Sequence, residues 1–239
     1  YWTMQDLEVI NSGYYGINLV DSNYSLLQNI HAHNNYRHGI HPGTNKTGRN
    51  MYNTYRDIYA WGNGYFGFAD RGNDGAWAVE ENYNIYDNIQ CWNNKMWGIG
   101  IHYVGSSTIT DCITYGNGEK GIWLKDVEDF NVSNCSITTN GITYQGAGLY
   151  IDYSKNINLS NMIVKNNYTG IDIRNCSNIT LTSCQSYDDR TPLIQRYGLE
   201  LKENCSGITV LNCKLMPNKV GDIDNPYNVV VKVIRETKD

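Results

Sequence analysis

The chain has 239 residues, 41% of them hydrophobic, with a mean hydropathy of -0.51 and a formal net charge of -5. No run approaches the ~18 apolar residues of a membrane span. The acidic balance argues against a nucleic-acid partner, which favours a basic footprint.

From the N-terminus, Tyr1-Trp2-Thr3-Met4 already reads as the middle of a repeat with no polar cap before it. Repeat proteins need capping to stay soluble, so residues 1–239 are expected to be one domain of a longer chain, with further domains as possible partners. A phrase of glycine followed by alternating apolar residues then recurs. It begins at Gly16-Ile17, Gly39-Ile40, Gly67-Phe68, Gly98-Ile99, Gly121-Ile122, Gly148-Leu149, Gly170-Ile171 and Gly198-Leu199, with starts 22 to 31 residues apart. Such periods signify stacked repeats. One coil runs from Asn178 to Cys205: Ile179 and Leu181 alternate with threonines, Cys184-Gln185-Ser186 follows a bend, and Leu199 and Leu201 alternate with Glu200 and Lys202. A period of two marks strands. Three short strands per coil and about nine coils predict an all-β, right-handed single-stranded parallel β-helix.

Stacking places equivalent residues of successive coils about 4.8 Å apart. Two residues after each glycine, an outward column reads Asn18, His41, Ala69, Gly100, Trp123, Tyr150, Asp172, Glu200. Four residues after, it reads Val20, Gly43, Arg71, His102, Lys125, Asp152, Arg174, Lys202. A second-strand column reads His33, Trp61, Trp92, Tyr115, Thr138, Lys165. Ala69 and Gly100 should leave a shallow floor beside the basic row Arg71, His102 and Lys125. His41 bounds that floor on one side and Trp123 and Tyr150 on the other. Trp61, Trp92 and Tyr115, with Trp97 in the turn, should form an aromatic ladder along the same flank. Aromatic faces suit sugar rings, and the basic row needs a counter-charge, which an anionic ligand would supply, or Asp70 or Asp152 in its absence. Arg174, Lys202, Asp172 and Glu200 read as an ordinary solvated face. Cys112, Cys135, Cys184 and Cys213 recur at one repeat position and read as small core fillers; no Cys-x-x-Cys spacing suggests a metal.

Four of the five histidines (His31, His33, His38, His41) lie within eleven residues, and the two longest insertions, 42–53 and 70–82, fall in the same coils. Loops on a rigid scaffold concentrate function, so the site is expected in coils two to five. A lyase or epimerase acting on a uronic acid must neutralise the carboxylate and remove the C5 proton. Arg71 or Lys125 suits the first task; His102, His41, His38 or a nearby tyrosine suits the second. A hydrolase needs two carboxyl groups, and Asp70, Asp74, Glu80, Glu81 and Asp152 are available. Asp70 is expected near the mouth, although strict alternation turns it inward. The oxygen-rich stretch Asp70-Arg71-Gly72-Asn73-Asp74-Gly75 is a possible Ca²⁺ site, with a structured turn the plainer reading; no cofactor is otherwise expected. Nine Asn-x-Ser/Thr sequons fit an exported chain, although an Asn-, Ser- and Thr-rich repeat generates them by chance.

With these features the chain resembles the pectate-lyase-like superfamily of parallel β-helix proteins, which includes polysaccharide lyases, polygalacturonases and mannuronan C5-epimerases. The turn Asn35-Tyr36-Arg37-His38-Gly39-Ile40 is similar to the Asn-x-Arg-His-Gly turn of mannuronan epimerases. That resemblance implies a catalytic His38 with Arg37 beside the substrate. The epimerases' Asp-Pro-His-Glu motif is absent. Asp188-Asp189 lacks the following His-Gly station of polygalacturonases. The Asn- and Tyr-rich style is similar to archaeal surface β-helices, including disaggregatases. The implied function is an extracellular or cell-surface enzyme that cleaves an acidic polysaccharide internally, as lyase or hydrolase. A non-catalytic carbohydrate-binding module and a uronan C5-epimerase are the alternatives.

Overall fold

A computed structural model describes residues 2–43, 49–72 and 80–234. Every named strand pairs in parallel with its counterpart in the next coil. One sheet holds nine strands, one per coil: Ile17–Val20, Ile40–Gly43, Phe68–Arg71, Trp97–His102, Lys120–Lys125, Ala147–Asp152, Thr169–Arg174, Tyr197–Leu201 and Gly221–Asp224. The sixteen-stranded sheet forms the other two sides. Its early strands, such as Thr54–Trp61, bend in mid-course at Asp57 (φ 52°). In later coils the same bend divides two strands, as at Asp111 (φ 55°) between Thr108–Thr110 and Ile113–Tyr115. Asn and Asp tolerate this left-handed backbone, which accounts for their abundance.

Alternation buries one apolar column per side. Ile40, Phe68, Ile99, Ile122, Leu149, Ile171 and Leu199 stack along the nine-stranded sheet, all fully buried. Burying such a side chain is worth about 1.5–3 kcal/mol.

Before six of the eight repeat glycines an asparagine points inward and joins a ladder. Asn35, Asn63, Asn94, Asn117 and Asn140 each donate both backbone N–H and Nδ2 to the side-chain oxygen of the next rung, at 2.8–3.2 Å. Asn167 continues it through its N–H to Gln195 Oε1. The ladder explains the glycine that follows it. A Cβ on Gly39 would lie 2.8 Å from Asn63 Nδ2 and 2.6 Å from the Gly67 carbonyl. No larger residue fits without displacing a rung.

Candidate functional site

The outer face of the nine-stranded sheet carries the first two columns in the expected register. Asn18 pairs with His41, Ala69 with Gly100, Gly100 with Trp123, and Trp123 with Tyr150. Arg71 pairs with His102, His102 with Lys125, and Lys125 with Asp152. Arg71 therefore stands in the strand between those of His41 and His102, one coil from each.

A third column on this face was not recognised in the sequence. The residue immediately before each repeat glycine points outward too, giving Tyr15, His38, Phe66, Trp97 and Lys120 in successive coils. These rings interleave with the other columns. Tyr15 stacks on His38 and His41 (4.9 and 4.8 Å), His38 on Phe66 (4.5 Å), and Phe66 on Trp97 (4.0 Å). Trp97 meets Trp123 edge to face at 4.0 Å. The Lys120 ammonium closes the row, 5.0–5.1 Å from Trp97, Trp123 and Tyr150. Glu119 bridges Lys120 and accepts from Trp97 Nε1. Strict two-residue alternation turns this position inward with the residue after the glycine; the glycine itself faces the interior and breaks the alternation, so the period does not reveal Tyr15, Phe66 and Lys120.

The same rings alter the expected floor. Ala69 and Gly100 are buried. A Cβ on Gly100 would sit 3.6 Å from His102 Nε2 and 3.8 Å from Phe66. His102 thus folds back over Gly100, against Trp123 at 4.3 Å, and the floor is roofed by rings.

Burial is the main influence on all three imidazoles of the face. It holds His38 down to about 3, aided by His41, Arg37 and His102. His41 is lowered to about 4 by burial and then by Arg71. His102 is lowered to about 3 by burial, Arg71, Lys125 and Lys120. All are neutral near pH 7, and the tautomers of His38 and His41 follow from their partners. The Phe66 N–H donates to His38 Nδ1 at 3.3 Å, so His38 carries its proton on Nε2. Asn18 Oδ1 can only accept, so His41 donates from Nδ1 at 3.2 Å and keeps a lone pair on Nε2. Among the described residues nothing engages His41 Nε2, which makes it the base of the row; His38 is a donor.

Arg37 lies in the turn beside the row, bonded to the Tyr14 hydroxyl and 5.5 Å over Tyr65. Tyr150 and Asp152 continue the face, and Asp152 accepts from Asn175 at 3.3 Å.

Other expectations are corrected. Asp70 is 1% exposed and lies inside the coil, accepting from Tyr86 (2.6 Å), Asn50 (2.8 Å) and Asn84 (3.3 Å). It anchors core polar groups and is cut off from any surface substrate; burial raises it to about 6. Trp61, Trp92 and Tyr115 do stack, at 4.8 and 5.7 Å, but on the sixteen-stranded sheet with His33 (3.9 Å). Among the described residues no ring contact joins this ladder to Trp97. The turn between the sheets carries it around a corner that the two-residue period does not encode. The histidine cluster divides the same way: His31 and His33 flank the ladder, and only His38 and His41 reach the candidate face. Asp74, the Glu80 side chain and half of the possible Ca²⁺ turn (73–75) lie outside the described residues.

The sequence profile described as "Right handed beta helix region" matches residues 1–168 and 82–231. The chain belongs to this right-handed β-helix family. No curated protein matches it. Among solved structures, the periplasmic alginate epimerase AlgG is similar at a TM-score of 0.59 and 16% identity, over 92% of this chain and 46% of AlgG. A single-residue AlgG variant gives 0.65 and 15%, over 95% and 72%. The A-module of Azotobacter vinelandii mannuronan C-5 epimerase AlgE6 gives 0.50 and 15%, over 96% and 76%. The chain spans about half the length of the AlgG structure (46%). At these identities the likeness is one of β-helix fold. No helix among the described residues is long and apolar enough to cross a membrane.

Proposed function

We propose that the ring-lined face acts on an acidic polysaccharide outside the cytoplasm by removing the C5 proton of a uronate. The observation that carries this reading is the neutral His41, with an Nε2 lone pair that no described residue engages, one coil from the Arg71 guanidinium. Arg71 and Lys125 hold the carboxylate, and Phe66, Trp97 and Trp123 offer ring faces to the sugars. His41 Nε2 takes the C5 proton, and the electron pair passes into the carboxylate, where the two cations stabilise the developing enediolate. Its collapse expels the 4-O substituent, which departs as an alcohol with the proton carried on His41, and leaves a C4–C5 double bond, as in a polysaccharide lyase. A face that continues past the row in both directions suits internal cleavage of a long chain.

Epimerisation is the second reading, favoured by the Nε2–H donor of His38 beside His41 (5.1 Å between ring centroids), which can return a proton to C5. Neighbours that include an alginate epimerase and a mannuronan C-5 epimerase fit a uronan. Hydrolysis has less support, because Asp70 is internal and Asp172 and Glu200 are engaged by Arg174 and Lys202.

A panel of uronate and glycosaminoglycan polymers tests the reading. An ultraviolet-absorbing unsaturated product identifies the lyase, and altered uronate stereochemistry without cleavage the epimerase. His41→Gln should lower turnover by at least about 10²-fold, the usual worth of a general base, while polymer binding persists. Binding without turnover in the wild-type protein would identify a carbohydrate-binding module and reject the chemistry.

A further inference from the structure

Six of the seven cysteines occur as three register-matched pairs in successive coils. Ser136 pairs with Ile113, which sets Cys135 beside Cys112. Ser177 pairs with Ser206, which sets Cys176 beside Cys205. Gln185 bridges Lys214, which sets Cys184 beside Cys213. Each cysteine directly follows a left-handed bend residue, with φ between 50° and 56°: Asp111, Asn134, Asn175, Ser183, Asn204 and Asn212. Each thiol donates back to the carbonyl two residues earlier, at 2.8–3.8 Å, so all six side chains share one orientation and the sulfurs of a pair lie in line. The Cys184 N–H reaches Cys213 Sγ at 3.3 Å. Cys91 stands apart, between Ala60 and Thr114.

Register partners on adjacent strands are about 4.8 Å apart, inside the Cα separation of about 4.4–6.8 Å that a disulfide spans. All seven thiols are free in this structure. The pairs differ in access. Cys112 and Cys135 are both buried, whereas Cys205 and Cys213 are each half-exposed beside a buried partner.

The geometry points to two oxidisable staples, Cys176–Cys205 and Cys184–Cys213, that lock the penultimate C-terminal coil to the one before it. The oxidant is a small-molecule disulfide. The Cys213 thiolate attacks one of its sulfurs and releases the first thiol. The Cys184 sulfur then attacks Cys213 Sγ in the mixed disulfide, gives up its proton and releases the second thiol. Cys205 and Cys176 form their bond by the same steps, more slowly at neutral pH, because burial raises the Cys205 thiol. Two protein thiols are oxidised for each small disulfide reduced to two thiols. The contact with Cys184 lowers the Cys213 thiol to about 7, which supplies thiolate at neutral pH. The staples do not depend on the chemistry of the ring-lined face.

The test incubates the purified protein with oxidised glutathione, then unfolds it, alkylates the remaining thiols and maps the peptides by mass. We expect Cys91, Cys112 and Cys135 to remain alkylatable, the peptides of the other four to be linked within one chain, and the thermal midpoint to rise until dithiothreitol is added. Cys213→Ser and Cys205→Ser should each abolish one linkage and spare the other. Serine is tolerated at such corners, since Ser154 occupies the register position before Cys176 and makes the same back-bond at 2.8 Å. Seven alkylatable thiols after oxidation, glutathione adducts without intrachain linkage, or prior linkage of Cys112 to Cys135 would each overturn the inference.

Discussion

At the scale of single residues, the face is defined by imidazoles that stay uncharged among cations. An ordinary histidine base loses activity as pH falls through about 6.5. Here burial and Arg71 lower His41 to about 4, so the base form persists well into acid. The acidic limb of kcat/KM should therefore lie near pH 4, with little change between pH 5 and 7. A limb near 6.5 in a pH-rate series would remove His41 from the role of base in the free enzyme. Asp70 runs in the opposite sense, since burial favours its protonated form. Sequence alternation already turned it inward, but its three donors, brought from elsewhere along the chain, were not legible in any local pattern. The lean of His102 over Gly100 was equally hidden, because it is a choice of rotamer and alternation specifies only the face.

Among the elements, the ladder of asparagines governs the shape of each turn. Asn94 donates to Asn117 Oδ1 and to the Ala60 carbonyl, and accepts twice from Asn63. Asn94→Ala strands donors of Asn63 in a dry interior, at about 1–3 kcal/mol for each unsatisfied group. A loss of about 2–4 kcal/mol in urea unfolding is expected; a change below about 0.5 kcal/mol, the size of an ordinary surface substitution, would show that the rung is dispensable. The repeat phrase was readable because this ladder and its glycine recur together. What the period does not carry is the break at the glycine: it and the residue after it both face inward, so Tyr15, Phe66 and Lys120 on its other side lie outward against strict alternation. The Trp61–Trp92–Tyr115 ladder shows the complementary limit. Its stacking follows from the coil period, but its angular position depends on the turn at Gly62-Asn63-Gly64, whose geometry the period does not carry.

For the molecule as a whole, the coil stack makes register unusually legible, since closing each coil fixes which residues become neighbours. The net charge of -5 also means that attraction of an acidic polymer must come from the local row of Arg71, Lys125, Lys120 and Arg37. Such attraction is screened over about 8–10 Å at ordinary ionic strength. Affinity for an acidic polysaccharide should fall as salt rises from 0.05 to 0.5 M (roughly 14 to 4 Å of screening length), as titration at fixed pH would measure. Salt-independent binding would assign recognition to ring stacking alone.

The perpendicular contact of Trp97 and Trp123, 4.0 Å apart, has an optical consequence. Two indoles so close and so crossed couple their electronic transitions, which gives rise to circular dichroism that neither ring produces alone. A sugar that moves either ring should therefore register as a change in near-ultraviolet circular dichroism, without a label.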